Sequence, residues 1–421
     1  MAQSLSALLR TVPQDLSPYE ELYKHLHANP ELSNQEKVTA ETVAAYLAKL
    51  DAFKIFTGIG GHGLAAVLEN GPGKTVLLRS DLDGLPVKEE TGLPYASTVR
   101  QVNTQGDEKP VMHACGHDMH ITCLLAAAEL LVALRGSWSG TLILVFQPAE
   151  ERGTGARDMV NDGLYDKVPV PDYVLGQHLM PMRAGTVGCR PGTIMASADS
   201  FKVTLYGRGG HGSLPHRTID PVVMASNLVV RLQNIVSREV DPNEMAVVTV
   251  GSLQAGHAEN IIVDHAELGL DIRSVTPSVR DQIIAAIERM AKAESIASGA
   301  KKEPVVVATR HFPATDNDTA MAASLATSFA EHFGDGFDPA VPRVNVSEDV
   351  SILASSQGRP TLFWFFGGVD QALWDEKVAA GTVEDEIPSN HSALFAPAIH
   401  PTMRTGIDAL CVGALTFLGK K

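Results

Sequence analysis

Three segments of this chain, residues 75–80, 141–146 and 173–176, are built on apolar runs (76–78, 142–146 and 173–175) without polar alternation, and each leads into carboxylates or an imidazole. The first leads into Asp81-Leu82-Asp83-Gly84, the second into Gln147-Pro148-Ala149-Glu150-Glu151, and the third into Gln177-His178. Unbroken apolar strands belong to sheets covered on both faces. Helical patterns at 17–29, 33–50 and 121–134 supply the cover, and 33–50 opens with Ser33-Asn34-Gln35-Glu36, the pattern of a capping box. The expected fold is therefore α/β. In such sheets ligands bind beyond the carboxyl ends of the strands, which is where this sequence concentrates His, Asp and Glu.

A fourth source of polar groups is His113-Ala114-Cys115-Gly116-His117-Asp118-Met119-His120, directly before the apolar helix at 121–134. A helix mouth offers unpaired N–H groups and a positive partial charge, which ease formation of a thiolate, the form of cysteine that binds metal. Cys115 and His117 are two residues apart, so both can ligate only from a loop or a first turn. Clustered His, Cys and Asp point to a metal rather than to a core thiol with capping histidines. Glu150 and Glu151 are adjacent and their side chains diverge, so one can ligate while the other faces water as a base. His178 gains weight from its strand, whereas His391, in Pro388-Ser389-Asn390-His391-Ser392, is by itself a lone loop histidine.

From about residue 194 the pattern changes to alternating strands at 201–206, 245–251 and 266–273, with long helices at 219–236 and 277–298 and a further strand at 305–307. This block predicts a smaller α+β domain of ferredoxin-like type. A helix at 318–333, a buried strand at 361–366 and a final helix at 401–418 read as the first domain resuming. The expected division is 1–193 with 312–421, interrupted by 194–311. Within the insert, Gly207-Arg208-Gly209-Gly210-His211-Gly212-Ser213 is a glycine-rich turn that places His211 at a tip, and it lacks the ending of a phosphate loop. Arg273, at a strand end, reads equally as a carboxylate clamp or as a surface arginine.

At 421 residues, two domains are the natural expectation. The net charge of −15, with no basic block, argues against a nucleic-acid partner. Four cysteines without paired spacing make neither a disulfide scaffold nor a structural zinc module, and Cys123 and Cys411 sit in apolar helical contexts as core residues. No apolar run is long enough to span a bilayer, and residues 1–10 lack the features of a secretory leader, so a cytoplasmic protein without a membrane partner is expected.

The ordered motifs HACGHDMH, QPAEE, GQHLMP, GRGGHGSLPH, SED (Ser347-Glu348-Asp349) and NHS resemble the zinc aminoacylase/carboxypeptidase family over nearly the whole chain. The similarity is closest to its N-acyl-amino-acid amidohydrolase branch, which includes hippurate hydrolases, auxin-conjugate hydrolases and Nα-acyl-glutamine aminoacylases. The resemblance implies a catalytic α/β domain holding two divalent ions, interrupted by an α+β lid that mediates dimerisation, hence a homodimer or dimer-based oligomer. It implies Cys115 as the ligand bridging the ions, with His117, Glu151, His178 and His391 completing the set, and Glu150 as general base. It further implies His211 as oxyanion stabiliser and Asn260 and Arg273 as the grip on a substrate carboxylate. His113 and His120 are then left to support or packing, and Asp118 to capping. Zinc is the first expectation for the metal, with manganese, cobalt or nickel as alternatives. The implied reaction is hydrolysis of the amide of an N-acyl amino acid. Dipeptidase, carboxypeptidase or carbamoylase activity on the same scaffold is the alternative, and a catalytically silent binding protein a more remote one. One departure from many relatives is that the strand at 75–80 ends in Arg79-Ser80-Asp81 where they carry a His-x-Asp ligand motif.

Overall fold

The structure, a computed structural model, describes residues 4–420. It contains two compact units. One runs up to Ile194 and takes in Thr315–Pro342 and the chain from Asp349 onward; the other comprises Met195–Ala314 and Arg343–Glu348. The short return of 343–348 to the second unit differs from the division expected from sequence, which gave those residues to the first.

After a short helix at Leu5–Leu9, the first unit has helices α1 (Ser17–Ala28) and α2 (Lys37–Lys49), followed by strands β1 (Lys54–Ile59), β2 (Gly63–Glu69) and β3 (Thr75–Asp81). Helix α3 (His117–Ala133) precedes β4 (Thr141–Gln147) and β5 (Tyr173–Arg183). The second unit then supplies β6 (Ser197–Tyr206), α4 (Pro221–Asn234), β7 (Ala246–Gln254), β8 (His265–Ser274), α5 (Pro277–Ala297) and β9 (Val305–Phe312). The first unit resumes with α6 (Thr319–Phe333), β10 (Thr361–Val369) and α7 (Ile399–Phe417).

The large sheet is mixed. Its order is β1-β2-β4-β3-β5-β10, continued by the short strands Val187–Gly188 and Phe337–Asp338. β1, β2 and β4 are successively antiparallel, whereas β4-β3-β5-β10 are parallel neighbours. Successive side chains on a strand point to opposite faces. Val76, Leu78, Leu144, Trp364 and Phe366 join one core with residues of α3 and α7. Leu77, Ile143, Phe363 and Phe365 are buried outside that core, on the face where Val350 closes against Phe363 across Gly176. Helix α3 is buried on nearly every side, which explains its apolar composition throughout. The free thiols Cys123 and Cys411 lie in this core.

The parallel strands place their carboxyl ends side by side, and β3 pairs in register with β4 up to Asp81 beside Gln147. Beneath this edge Arg79 is closed from solvent, with Nη1 2.7 Å from Asp81 Oδ2, Nη2 3.3 Å from Asp349 Oδ1 and Nε donating to Gln147 Oε1 at 2.9 Å. Asp349 also accepts from Gln147 Nε2 and from the Ala156 backbone. Burial would raise the Asp81 carboxyl, but His117, His120 and Arg79 together hold it well below the usual carboxylate range. Arg79→Leu would strand two buried carboxylates, and urea unfolding should show a loss of about 3–5 kcal/mol.

The second unit is a four-stranded antiparallel sheet in the order β7-β8-β6-β9. Helices α4 and α5 close its core, with Met224, Leu228, Ile283 and Ile287 packed on Val203, Leu205, Leu268 and Leu270. Pro277 opens α5, as a first-turn proline should. Among the described residues no helix is long and apolar enough to cross a membrane.

Candidate metal centre and active site

The turn before α3 is set by Gly116, whose φ of +83° is left-handed and whose added Cβ would sit 2.7 Å from Leu179 Cδ2. This turn presents Cys115 from the loop and His117 from the first helical position. Two residues past β4 stands a second left-handed residue, Ala149 (φ 49°), followed by the single turn Glu150–Arg152. His391 is a third, with φ 69°, and its backbone N–H donates to Ala114 O at 2.8 Å. Left-handed conformations at residues with a Cβ cost energy and persist where surrounding structure enforces them, commonly at functional sites.

These elements bring together the sequence-predicted ligands of the first unit. Donor atoms of Cys115, His117 and His178 lie within 4.8 Å of one another, as do those of Cys115, Glu151 and His391, and those of His117, Glu150 and Glu151. Cys115, His117 and Glu151 each belong to two of these groups. Cys115 Sγ is 3.4 Å from His178 Nε2, and His391 Nε2 is 3.3 Å from Glu151 Oε1.

The hydrogen bonds fix which nitrogen of each ring faces this cluster. His117 Nδ1 is 2.8 Å from the Asp83 carbonyl, and His178 Nδ1 is 2.8 Å from the Leu179 carbonyl. A carbonyl only accepts, so each Nδ1 donates and each Nε2 is the nitrogen that faces the cluster. Burial opposes charge on His117, but Asp81, Asp83 and Glu151 outweigh it and lift the ring to about 10, so its Nε2 proton must leave when an ion binds. His117 Nε2 and Glu151 Oε1 are buried without a hydrogen-bond partner. Orphaned buried polar atoms are expensive, and a cation that displaces the His117 proton takes up both. Burial, together with Glu151, Glu150 and Asp81, pushes the Cys115 thiol well above its ordinary value. The helix mouth alone is therefore not enough to form the thiolate expected from the sequence; nearby divalent charge is required. Burial and the neighbouring His120 keep His178 neutral, the form that ligates. On each of these counts the donor set fits divalent cations.

The other residues of the cluster have different duties. His120 Nδ1 is 2.7 Å from Asp81 Oδ1, and its Nε2 accepts from the Leu179 N–H at 2.8 Å, so both nitrogens are engaged. His113 is buried, and burial lowers it to about 4. Asp118 accepts from the Met119 N–H and from His27. Asp83, noted in the sequence only as a carboxylate past a strand, accepts from the Glu150 N–H at 3.2 Å and the Glu151 N–H at 3.1 Å. Asn390 Nδ2 donates to the Leu179 carbonyl at 3.1 Å, tying the His391 loop to β5. The Asp81-Leu82-Asp83 sequence at the end of β3 was the available signal for Asp83; Asn390 entered only as part of the NHS motif.

His211, Asn260 and Arg273 lie in the second unit. The short strands Gly210–His211 and Ile261–Ile262 pair, and the Gly212 N–H donates to the Asn260 carbonyl at 2.8 Å, which brings His211 and Asn260 together. His211 is exposed, and its Nδ1 accepts from the Ser213 N–H at 3.1 Å, so the neutral ring carries its proton on Nε2. Arg273 donates through Nε to Asp271 at 2.8 Å and through Nη1 to Ser347 Oγ at 3.0 Å. It is a positioned arginine rather than a loose surface one.

Comparison with known proteins places this geometry. The model of Peptidase family M20/M25/M40 matches residues 77–391. The chain belongs to this family. It is 43% identical over 264 residues to the hippurate hydrolase of Campylobacter jejuni, covering 62% of this chain and 66% of that enzyme. It is 38% identical over 298 residues to the N-acetyl-L-cysteine deacetylase of Bacillus subtilis, covering 69% of each. Among solved structures, the Bacillus subtilis YXEP protein, described as a dinuclear metal binding peptidase of the M20 family, superposes with a TM-score of 0.74 at 25% identity. That match covers 95% of this chain and 97% of the other. This M20 chain is accordingly a metallo-amidohydrolase, as the motif resemblance implied.

Proposed function

We propose that this M20 enzyme hydrolyses the amide bond of N-acyl amino acids at a site holding two divalent ions. The observation that carries the reading is the pair of overlapping donor groups, Cys115 with His117 and His178 and Cys115 with Glu151 and His391, beside the buried Glu150. Cys115 is the shared ligand, and zinc suits its thiolate best, with manganese, cobalt and nickel as alternatives. When bound, the ions supply the positive charge that polarises the acyl carbonyl and makes water acidic enough to attack.

The chain's own residues do the rest. Glu150, fixed by the Asp83 grip on its backbone, takes the proton of the attacking water and returns it to the leaving amine. His211 donates from Nε2 to the developing oxyanion, the tautomer its Ser213 contact favours. Asn260 and Arg273 hold the substrate carboxylate, with Arg273 aimed by Asp271 and Ser347. The second unit acts as lid and dimerisation domain of a cytoplasmic homodimer or dimer-based oligomer. Hippurate and N-acetyl-L-cysteine, named for the two relatives, are both N-acyl amino acids, which supports this substrate class.

A substrate panel tests the reading: N-acetyl, N-benzoyl, long-chain acyl and carbamoyl amino acids and dipeptides, each with chelator and with metal restored. Turnover of the acyl amino acids, abolished by chelator and recovered on metal addition, is expected. Preference for dipeptides or carbamoyl substrates would move the assignment to a peptidase or carbamoylase. Tight binding without turnover of any substrate would make the chain a silent binding protein.

A further inference from the structure

In the last turn of helix α1 lies His27, whose ring is closed from solvent and which stands in none of the groups of possible metal donors among the described residues. Its Nδ1 is 2.7 Å from Asp118 Oδ2 and its Nε2 is 3.0 Å from Glu89 Oε1. Both carboxylates are themselves sequestered, with no side-chain exposure. An ionised carboxylate can only accept, so both ring nitrogens donate and His27 is an imidazolium. Burial opposes that charge, but the bonds to Asp118 and Glu89 outweigh it and lift His27 to about 10. The carboxyl end of α1 favours the cation as well. Tyr23 of α1 and Tyr95 pack their rings against it, and His113 lies nearby as a neutral group.

What this cation joins is informative. Asp118 is the residue after His117 and caps the first turn of α3 through the Met119 N–H. Glu89 fastens its own loop by accepting from the Ser97 N–H at 2.6 Å and from the Thr91 hydroxyl. The next residue, Glu90, donates its N–H at 2.9 Å to the carbonyl of Ala393, two residues beyond His391. A continuous path thus runs from the helix mouth presenting His117, through His27 and the 89–97 loop, to the loop presenting His391. In the groups of possible metal donors, His117 stands with Cys115 and His178, and His391 with Cys115 and Glu151.

We propose that His27 is a positioning residue for the metal centre: through Asp118 and Glu89 it sets the spacing between the His117 and His391 ligands. The inference rests on the metal-hydrolase reading above, but its first readout needs no substrate. A buried ion triad that only held the fold together could be cut with a loss of stability and nothing more. A positioning triad must also change how the ions are held.

The test compares the full chain with His27→Gln, Glu89→Gln and the double variant. Metal retention is followed by zinc content per chain during competition with a chelator. Steady-state kinetics at saturating zinc give kcat and KM. The expected result is that His27→Gln weakens retention by about tenfold or more, the scale found when a residue supporting a ligand is removed. Its kcat should fall on a similar scale with KM little altered. Glu89→Gln, which leaves Asp118 intact, should move both quantities the same way, and the double variant should be no worse than His27→Gln, because the groups act as one unit. Wild-type zinc retention and kcat in both single variants, with only a lower melting temperature, would overturn the proposal. Should His27→Gln fail to fold, Glu89→Gln decides alone. Should the wild-type chain hydrolyse nothing, the retention measurement still stands and the substrate assignment fails separately.

Discussion

Glu150→Gln is expected to lower kcat by about 10²–10⁴-fold while the enzyme still binds its full complement of metal. The substitution keeps the shape of the side chain and the Glu150 N–H that Asp83 holds, so the turn carrying Glu151 is preserved. It removes only the ability to accept and return a proton. The bonds that aim His117 and His178 come from the Asp83 and Leu179 carbonyls, which the change does not touch. The decisive measurement pairs kcat with metal analysis of the same preparation. If the variant kept more than a tenth of wild-type kcat, the base would have to be another group. If activity fell together with metal content, Glu150 would be acting as a ligand.

The second large effect concerns Cys115. Its sulfur is common to two donor groups, so Cys115→Ala takes a ligand from both positions at once. Metal affinity should fall by more than about 100-fold, beyond the cost of losing a supporting residue, and turnover should disappear with it. The thiol is held in its neutral form by burial and by Glu151, Glu150 and Asp81, so metal uptake must displace its proton. Proton release on zinc binding should therefore be larger for the wild type than for Cys115→Ala, which titration calorimetry in buffers of different ionisation enthalpy measures. Cys115→Asp, which offers a bridging carboxylate, should recover part of the occupancy. Unchanged zinc content in Cys115→Ala would remove the cysteine from the ligand set.

Much of the fold was legible because its signals are local. Strand β4 follows from an unbroken apolar run and β3 from the shorter one at 76–78, and Pro277 marks the start of α5. Two readings failed where distant partners intervened. The Ser33-Asn34-Gln35-Glu36 sequence is not a capping box. Ser33 Oγ donates to Asp83, Glu36 Oε1 accepts from the Ala149 N–H, and the helix starts only at Lys37. The apparent cap is therefore part of the wall behind the Glu150 turn. His178 was expected just past a strand end but lies within β5, because β10 pairs alongside from Val174 to Arg183 and carries the strand onward. The edge strand β1 carries no clear sequence signal, since three of its six residues are exposed and it has no continuous apolar run.

The sequence by itself determined which residue types gather at the strand ends and the helix mouth, because apolar periodicity fixes the elements and their ends fix the polar groups. It named Cys115, His117, Glu150, Glu151, His178 and His391, and the fold brings those side chains into one cluster. Only the tertiary structure decided their chemical state. Carbonyls of Asp83 and Leu179 choose the nitrogens that His117 and His178 present, and Asp81 with the Leu179 N–H takes up both nitrogens of His120. Asp118 and Glu89 make His27 a buried cation. Each of these outcomes depends on a hydrogen-bond partner supplied by another segment of the chain or fixed in direction by the folded backbone. Spacing along the sequence carries no information about such partners.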